Sequence, residues 1–420
     1  MRKHFCLALL SLLALCLAPT LAAEDWPRFR GPEGTGISAE AGLLDSWDEG
    51  GPKELWRRPL GRGFSGVSAV GNSLYTLFAD RSGEYLVSLA TADGSERWRY
   101  RLDDLYADSQ GDGPRSTPTV SDGVVYAYGA QSMLAAVDAE SGKKIWSQDL
   151  KKSLGARPPR WGTSAQPVVD GDLLLVDVGG RDGASVAAFR KLTGVLVWSA
   201  GSDKAGYSMP LLVEVGGVRQ AIFFTATQIL AVRPQSGEVL WREPWSTSYN
   251  VNAAAPILVP PSRLFISSGY DTGSALFEIE TEGDRASVRK VWDQRRMKNQ
   301  FSSSVLYRGA IFGFDNSILK AIDPATGEEL WKARGFQHGS LTAADGKLFV
   351  LGEGGRLALV EATAEAYREI SSVEPFKAKA WTVPTLADGV LYLRNESEII
   401  ALDVKNSAST STQPSETTAK

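Results

Sequence analysis

Cysteine is all but missing: the 420 residues contain two, Cys6 and Cys16, and both fall within the first 23 positions. Histidine is as scarce, with His4 in that same stretch and His338 alone beyond it. If residues 1–23 are removed on export, no disulfide and no thiolate metal site can form, and zinc chemistry that needs several histidines is excluded. A Ser-His-Asp triad would have to use His338. No segment after the first 23 residues approaches 18 uninterrupted apolar positions, so no membrane-spanning helix is expected. Excess positive charge is also lacking. Against 45 Lys+Arg stand 49 Asp+Glu, a net charge of −4, and loss of Arg2 and Lys3 with a leader would take it to −6. A basic nucleic-acid-binding surface is not expected.

The stretch 1–23 opens with Arg2-Lys3-His4, runs apolar from Phe5 to Leu17 and ends in Pro19-Thr20-Leu21-Ala22-Ala23 before Glu24-Asp25. This is the pattern of a secretory signal, cleaved after Ala22 or Ala23, and it places the protein in the periplasm or at the cell surface. Lipid attachment at Cys16 is disfavoured because Leu15 precedes it where a small residue is wanted. At the other end, 405–420 is rich in Ser and Thr and reads as a disordered tail.

What the chain has in abundance is glycine (42) and tryptophan (12), and the two recur together. The unit SLATADGSERW ending at Trp98 returns as AVDAESGKKIW at Trp146, AFRKLTGVLVW at Trp198, AVRPQSGEVLW at Trp241 and AIDPATGEELW at Trp331, with a stretched copy, FEIETEGDRASVRKVW, ending at Trp292. Such a period suits a four-stranded propeller blade, and a glycine inside every unit argues against helical repeats. Upstream of each turn lie alternating apolar runs broken by Asp-Gly, such as PTVSDGVVYAYG (118–129), which is hairpin grammar. Leu55-Trp56 looks like a last strand with nothing before it, while VLYLRNESEIIALDV (390–404) supplies earlier strands with no final Trp. With Val373 as a degenerate Trp position, the count is eight blades. The expected fold is therefore all-β: an eight-bladed propeller over 24–404, introduced by a lead-in segment 24–53 and closed by pairing of its N- and C-terminal strands. Trp56, Trp98, Trp146, Trp198, Trp241, Trp292 and Trp331 are expected to dock each blade on the next, with no chemical role.

The candidate site comes from the connections between each Trp and the following inner strand, which emerge at one end of the ring. They carry RPPRW (157–161), SYNVN (248–252), RRMKNQF (295–301), GFQHG (335–339) and KAKAW (377–381). Three residues before the small or Pro position of each inner strand stand Arg115, Ser164, Tyr207, Ala253, Phe301, Gly339 and Trp381. Equivalent positions converge on one axis, so Arg115, Tyr207, Phe301 and Trp381, joined by Arg160, Trp161, Asn250, Asn252, Gln300 and His338, are expected to form a polar-aromatic pocket for a small polar or anionic ligand. The alternative is that they only plug the channel and satisfy backbone groups. In the pocket reading Arg115 supplies charge, Trp161 a stacking face, Asn250 hydrogen bonds, and His338 a pH dependence. Asp108, Asp112 and Asp203 read as solvated loop residues, and Asn395-Glu396-Ser397 as a hairpin turn rather than a glycosylation site.

These repeats resemble the PQQ-like β-propeller repeat proteins, whose tryptophan docking motif the turn-plus-Trp unit matches over about residues 25–404. The phrases DWPRFRGPEGTGIS (25–38), GDGPRSTP (111–118), PPRWG (158–162), SYNVNAAAP (248–256) and SSGYDTG (267–273) are similar to an exported bacterial branch. The resemblance implies one of two functions: a non-catalytic scaffold contacting envelope proteins, like the outer-membrane β-barrel assembly lipoprotein, or a PQQ-dependent alcohol or polyol dehydrogenase. The dehydrogenases' adjacent cysteines are absent, and their Asp base and calcium ligands align to no position. No cofactor and no metal is therefore expected; under the alternative PQQ, with Ca²⁺, would find cationic donors in Arg115, Arg160 and Lys298 and a stacking face in Trp161, with no calcium ligands assigned. A monomer is expected.

Overall fold

The computed structural model describes residues 24–406; residues 1–23, read as a signal, and positions 407–420 lie outside the described residues. Eight four-stranded antiparallel sheets form the body. Seven are continuous in sequence: 68–103 (blade 1), 119–149 (blade 2), 168–200 (blade 3), 211–244 (blade 4), 257–294 (blade 5), 305–333 (blade 6) and 339–373 (blade 7). Blade 8 joins Thr385–Ala387, Val390–Arg394 and Glu398–Asp403 from the C-terminal end to Lys53–Pro59 as its outermost strand. Trp56 pairs with Ala401 and Pro59 with Glu398, so the first and last strands close the ring. The only helix among the described residues is the single turn Leu150–Ser153, capped by Asp149.

The hairpins follow from the Asp-Gly pairs. Asp122 (φ 50°) and Gly123 (φ 75°) both take the left-handed conformation that a two-residue turn between twisted strands requires. Alternation then buries both faces of the middle strands, because each sheet is sandwiched between neighbours: Val124–Tyr128 is buried at every position.

The tryptophans sit at one register position, just after a bulge in the outer strand, as Ala136 opposite Trp146 and Ala321 opposite Trp331 illustrate. Six of the seven indoles lie on the turn of the following blade. Trp56, Trp98, Trp146 and Trp198 donate Nε1–H to the carbonyls of Thr91, Ala139, Lys191 and Pro234 at 2.7–3.1 Å. The turn glycines are where the ring arrives: a Cβ on Gly94 or Gly142 would lie 2.7 or 2.6 Å from the ring of Trp56 or Trp98. Glycine thus recurs beside Trp because the neighbouring blade occupies the side-chain space. Blade 5 replaces the short turn by the long hairpin Gly273–Glu282 and Arg285–Gln294, and Trp241 turns instead to Gln220 Oε1 of its own blade at 2.6 Å.

Blade 7 departs from the expected register. The bulge falls between Leu359 and Val360, and Leu359 faces Ser371, so Ser371 and not Val373 stands where the other blades carry Trp. The exposed Ile370 before it matches Leu55, Ile145 and Leu330 before their tryptophans. An indole is nonetheless supplied there by the lead-in segment: the Trp47 backbone N–H donates to Ser371 Oγ at 3.1 Å, and its ring packs on the core shared by blades 7 and 8, with Nε1 buried and unpartnered.

That lead-in segment also crosses the channel. Trp26 bridges to Ala69 of blade 1, the Pro27 carbonyl accepts from Val120 of blade 2, Arg30 donates to the Ser304 carbonyl before blade 6, and Ile37 bridges to Ala343 of blade 7. The Arg30 guanidinium is fully buried, and burial pulls its pKa down to about 9. Lys405 and Asn406, read from sequence as the start of the tail, are instead ordered, Lys405 bridging to Leu43 and the Asn406 N–H donating to the Gly42 carbonyl at 2.9 Å.

Candidate functional site

The connections leading into the inner strands surround a cavity of about 610 Å³ at one end of the channel, with Phe29 of the lead-in segment among its lining residues. Of the residues singled out by sequence, Arg115, Arg160, Trp161, Tyr207, Gln300, Phe301, His338 and Trp381 line it. The structure brings them together because they precede the inner strands of six different blades, Arg160 and Trp161 sharing one connection and Gln300 and Phe301 another.

Asn250 and Asn252 are placed elsewhere. Asn252 is fully buried, its amide nitrogen donating to the Thr225 and Ala226 carbonyls and its oxygen accepting from Ser268 Oγ at 2.7 Å, so backbone and hydroxyl partners consume it. Asn250 takes the left-handed position of a turn (φ 58°), and its neighbour Tyr249 faces the cavity instead. The aspartates are turn-formers: Asp203 accepts from Thr225 Oγ1 and the Thr227 N–H at 2.7 Å, and Asp112 pairs with Arg62. Asn395 Oδ1 likewise accepts from the Ser397 and Glu398 N–H groups, forming the expected turn.

Two arcs of rings make up the wall. Phe64, Trp381, Phe301 and His338 follow one another at centroid distances of 4.9, 4.7 and 5.3 Å. Opposite them, Tyr207 and Tyr249 flank Trp161 at 6.3 and 6.2 Å, and Tyr270 follows Tyr249 at 5.3 Å. The Tyr207 hydroxyl accepts from the Trp161 N–H at 3.2 Å, and burial pushes its pKa up to about 12. Cations ride on this wall. The Arg160 guanidinium lies 5.2 Å from the Trp161 ring, Arg115 4.6 Å from that of Tyr106, and Lys379 Nζ 4.3 Å from that of Trp381. Arg115 is further held by the carbonyls of Gly113 and Gly111, and burial lowers its pKa.

The single carboxylate on the wall is Glu353. Its Oε2 meets His338 Nδ1 at 3.1 Å and its Oε1 accepts from Trp381 Nε1 at 2.9 Å, so it braces two connections within the first arc. Glu353 was out of reach of sequence reasoning, which looked only at the connections and not at the end of a second strand. Phe64 was within reach: it stands three residues before Val67 and completes the ring of equivalent positions, but Val67 is neither proline nor a small polar residue like Ser304 and Thr342.

These residues do not suit PQQ with Ca²⁺. A hard cation wants several oxygen donors, yet the one wall carboxylate is committed on both oxygens. Among the described residues no group of three or more His, Cys, Asp or Glu is disposed to hold a metal. Lys298, a candidate cation for the cofactor, is turned to Asp271 and Asp315.

Fold and repeat together define a PQQ-like β-propeller. More narrowly, the chain belongs to the family described as outer membrane protein assembly factor BamB, which it matches over residues 40–158, 107–317 and 315–410. It is similar to the outer membrane protein assembly factor BamB of Shewanella oneidensis, 23% identical over 344 residues, covering 75% of this chain and 79% of that one. It is also similar to the quinoprotein alcohol dehydrogenase PedH of Pseudomonas putida, 34% identical over 140 residues, but this covers 31% of the chain and 23% of the dehydrogenase. The chain thus spans about a quarter of the length of the quinoprotein relatives it matches. Among solved structures, BamB from Moraxella catarrhalis superposes with a TM-score of 0.59 at 15% identity, covering 84% of this chain and 100% of that chain. The quinohemoprotein alcohol dehydrogenase ADHIIG from Pseudomonas putida HK5 reaches 0.63 at 13% identity, covering 94% and 82%. At these identities the likeness is one of fold.

Proposed function

We propose that this protein is a non-catalytic interaction scaffold of the cell envelope, exported by a leader cleaved near Ala22 or Ala23, residing as a monomer in the periplasm or at the cell surface, and presenting the channel-face connections to envelope proteins. The observation that carries this reading is the extent of the likeness: it runs along most of the chain for the assembly factors and along a third of it for the dehydrogenases. The committed state of Glu353 supports it, since alcohol oxidation needs a free base and a cation beside the quinone. Loops around a rigid ring are also where such folds place contacts. A described region without any helix long and apolar enough to cross a membrane is compatible with this placement.

The discriminating experiment is a calorimetric titration of the purified protein with PQQ and Ca²⁺, followed by dye-linked oxidation of a panel of alcohols and polyols. The scaffold reading expects no turnover above the protein-free control. Tight binding with turnover would replace it by the dehydrogenase.

A further inference from the structure

Two polar atoms at the cavity are buried without a partner. Gln166 Oε1 and Thr382 Oγ1 form no hydrogen bond, although their residues, 7% and 4% exposed, line the cavity from positions just before inner strands. Leaving such a group unmet is costly, and native proteins seldom do so without a use for it. A carbonyl oxygen can be met only by a donor. The missing partner therefore carries hydroxyl or N–H groups, and a saccharide offers hydroxyls on every side of its ring.

The shape of the wall bears on the same question. Neighbouring rings are inclined by 35° (Phe64 and Trp381), 42° (Phe301 and Trp381) and 68° (Trp161 and Tyr249), which makes a curved cup and not a parallel slot. A flat aromatic is held between parallel faces, whereas a puckered saturated ring presents C–H groups in several directions to inclined π faces. The charge is one-sided as well. Arg160 and Arg115 make no ion pair among the described residues, while Glu353 is bonded to His338 and Trp381. A volume of about 610 Å³ falls in the range of small-molecule sites.

We propose that the axial cavity binds an acidic saccharide, a short oligomer containing uronic acid. Its hydroxyls meet Gln166 and Thr382, its ring faces rest on Trp161 and Trp381, and its carboxylate meets Arg160, whose planar fork suits that group. This inference stands apart from the scaffold reading, since a propeller can hold a glycan whether or not it contacts envelope proteins.

The test is isothermal titration of the purified protein with trigalacturonate and trimannuronate, with maltotriose as the neutral saccharide and 4-hydroxybenzoate as a carboxylate on a flat ring. At least one acidic trimer should bind saturably, with maltotriose about tenfold weaker and hydroxybenzoate not saturating. Arg160→Ala, at the exposed rim, should weaken the acidic trimer about tenfold and leave maltotriose unchanged. Gln166→Leu should weaken both saccharides by a similar factor without lowering the Tm of the free protein, because it removes an unmet polar group. Should that variant misfold, Arg160→Ala still decides. The proposal is overturned if neither acidic trimer binds at about 10 mM, if hydroxybenzoate binds as well as they do, or if Arg160→Ala binds like the parent.

Discussion

The Trp47 backbone N–H donates to Ser371 Oγ at 3.1 Å, joining an indole of the lead-in segment to the one outer strand whose docking position holds no tryptophan. Blade 7 is thereby completed from outside itself, by residues 324 positions away in sequence. Ring closure consequently has two latches: the outer strand Lys53–Pro59 of blade 8 and the indole just before it.

Trp47→Ala should destabilise the whole propeller by about 2–4 kcal/mol, as large-to-small changes in packed apolar surroundings do. Urea unfolding followed by intrinsic fluorescence measures this, and deletion of 24–58 should cost more still. A variant within about 0.5 kcal/mol of the parent would deny Trp47 its docking role.

The docking tryptophans differ in one respect that can be measured. Trp331 Nε1 donates to the Thr363 carbonyl at 2.8 Å, whereas Trp292 Nε1 is buried with no partner. Replacement by Phe keeps most of the ring and removes the N–H. Trp331→Phe should therefore cost about 1 kcal/mol more than Trp292→Phe, while Trp146→Ala and Trp331→Ala should each cost about 3–5 kcal/mol. Equal costs for the two Phe variants would mean that the hydrogen bond contributes nothing.

Much of this was legible in the amino-acid sequence, because a propeller repeats both its packing and its turns. Trp after a Gly-bearing turn marked six outer strands, Leu55-Trp56 a seventh, and a fixed offset before the small or Pro position of the inner strand marked Arg115, Tyr207, Phe301 and Trp381 as neighbours on one axis. Failure came wherever repetition stops. With no Trp in blade 7, the bulge that sets the register left no trace, and Val373 was chosen two residues too late. Asn252 has the residue type of a ligand contact, but only its surroundings reveal that backbone carbonyls use it. Phe29 lines the cavity because the lead-in segment crosses the channel, and no periodicity announces a segment that occurs once.

Stability should depend on pH through Glu84. Its Oε2 accepts from the Ala130 N–H at 3.0 Å while Oε1 has no partner, and burial raises its pKa from 4.5 to about 7. The folded state therefore binds a proton that the unfolded chain releases. Stability from this group is fully present below about pH 4.5 and is lost as pH rises through about 7, by on the order of 3 kcal/mol at most. Asp177, buried with its own pKa raised, acts in the same direction. Glu84→Gln should flatten the profile, so that the variant gains on the parent between about pH 5 and pH 8. Parallel profiles of unfolding free energy against pH would contradict the assignment.

Photocrosslinking from the channel face tests the scaffold reading most directly. A benzophenone side chain would replace Tyr249, 53% exposed at the cavity, and in a control Val195, 59% exposed on the outer turn of blade 3. In the native envelope, the account predicts a discrete adduct from position 249 with an envelope protein, and none from position 195. No adduct from position 249, or the same adducts from both, would contradict it.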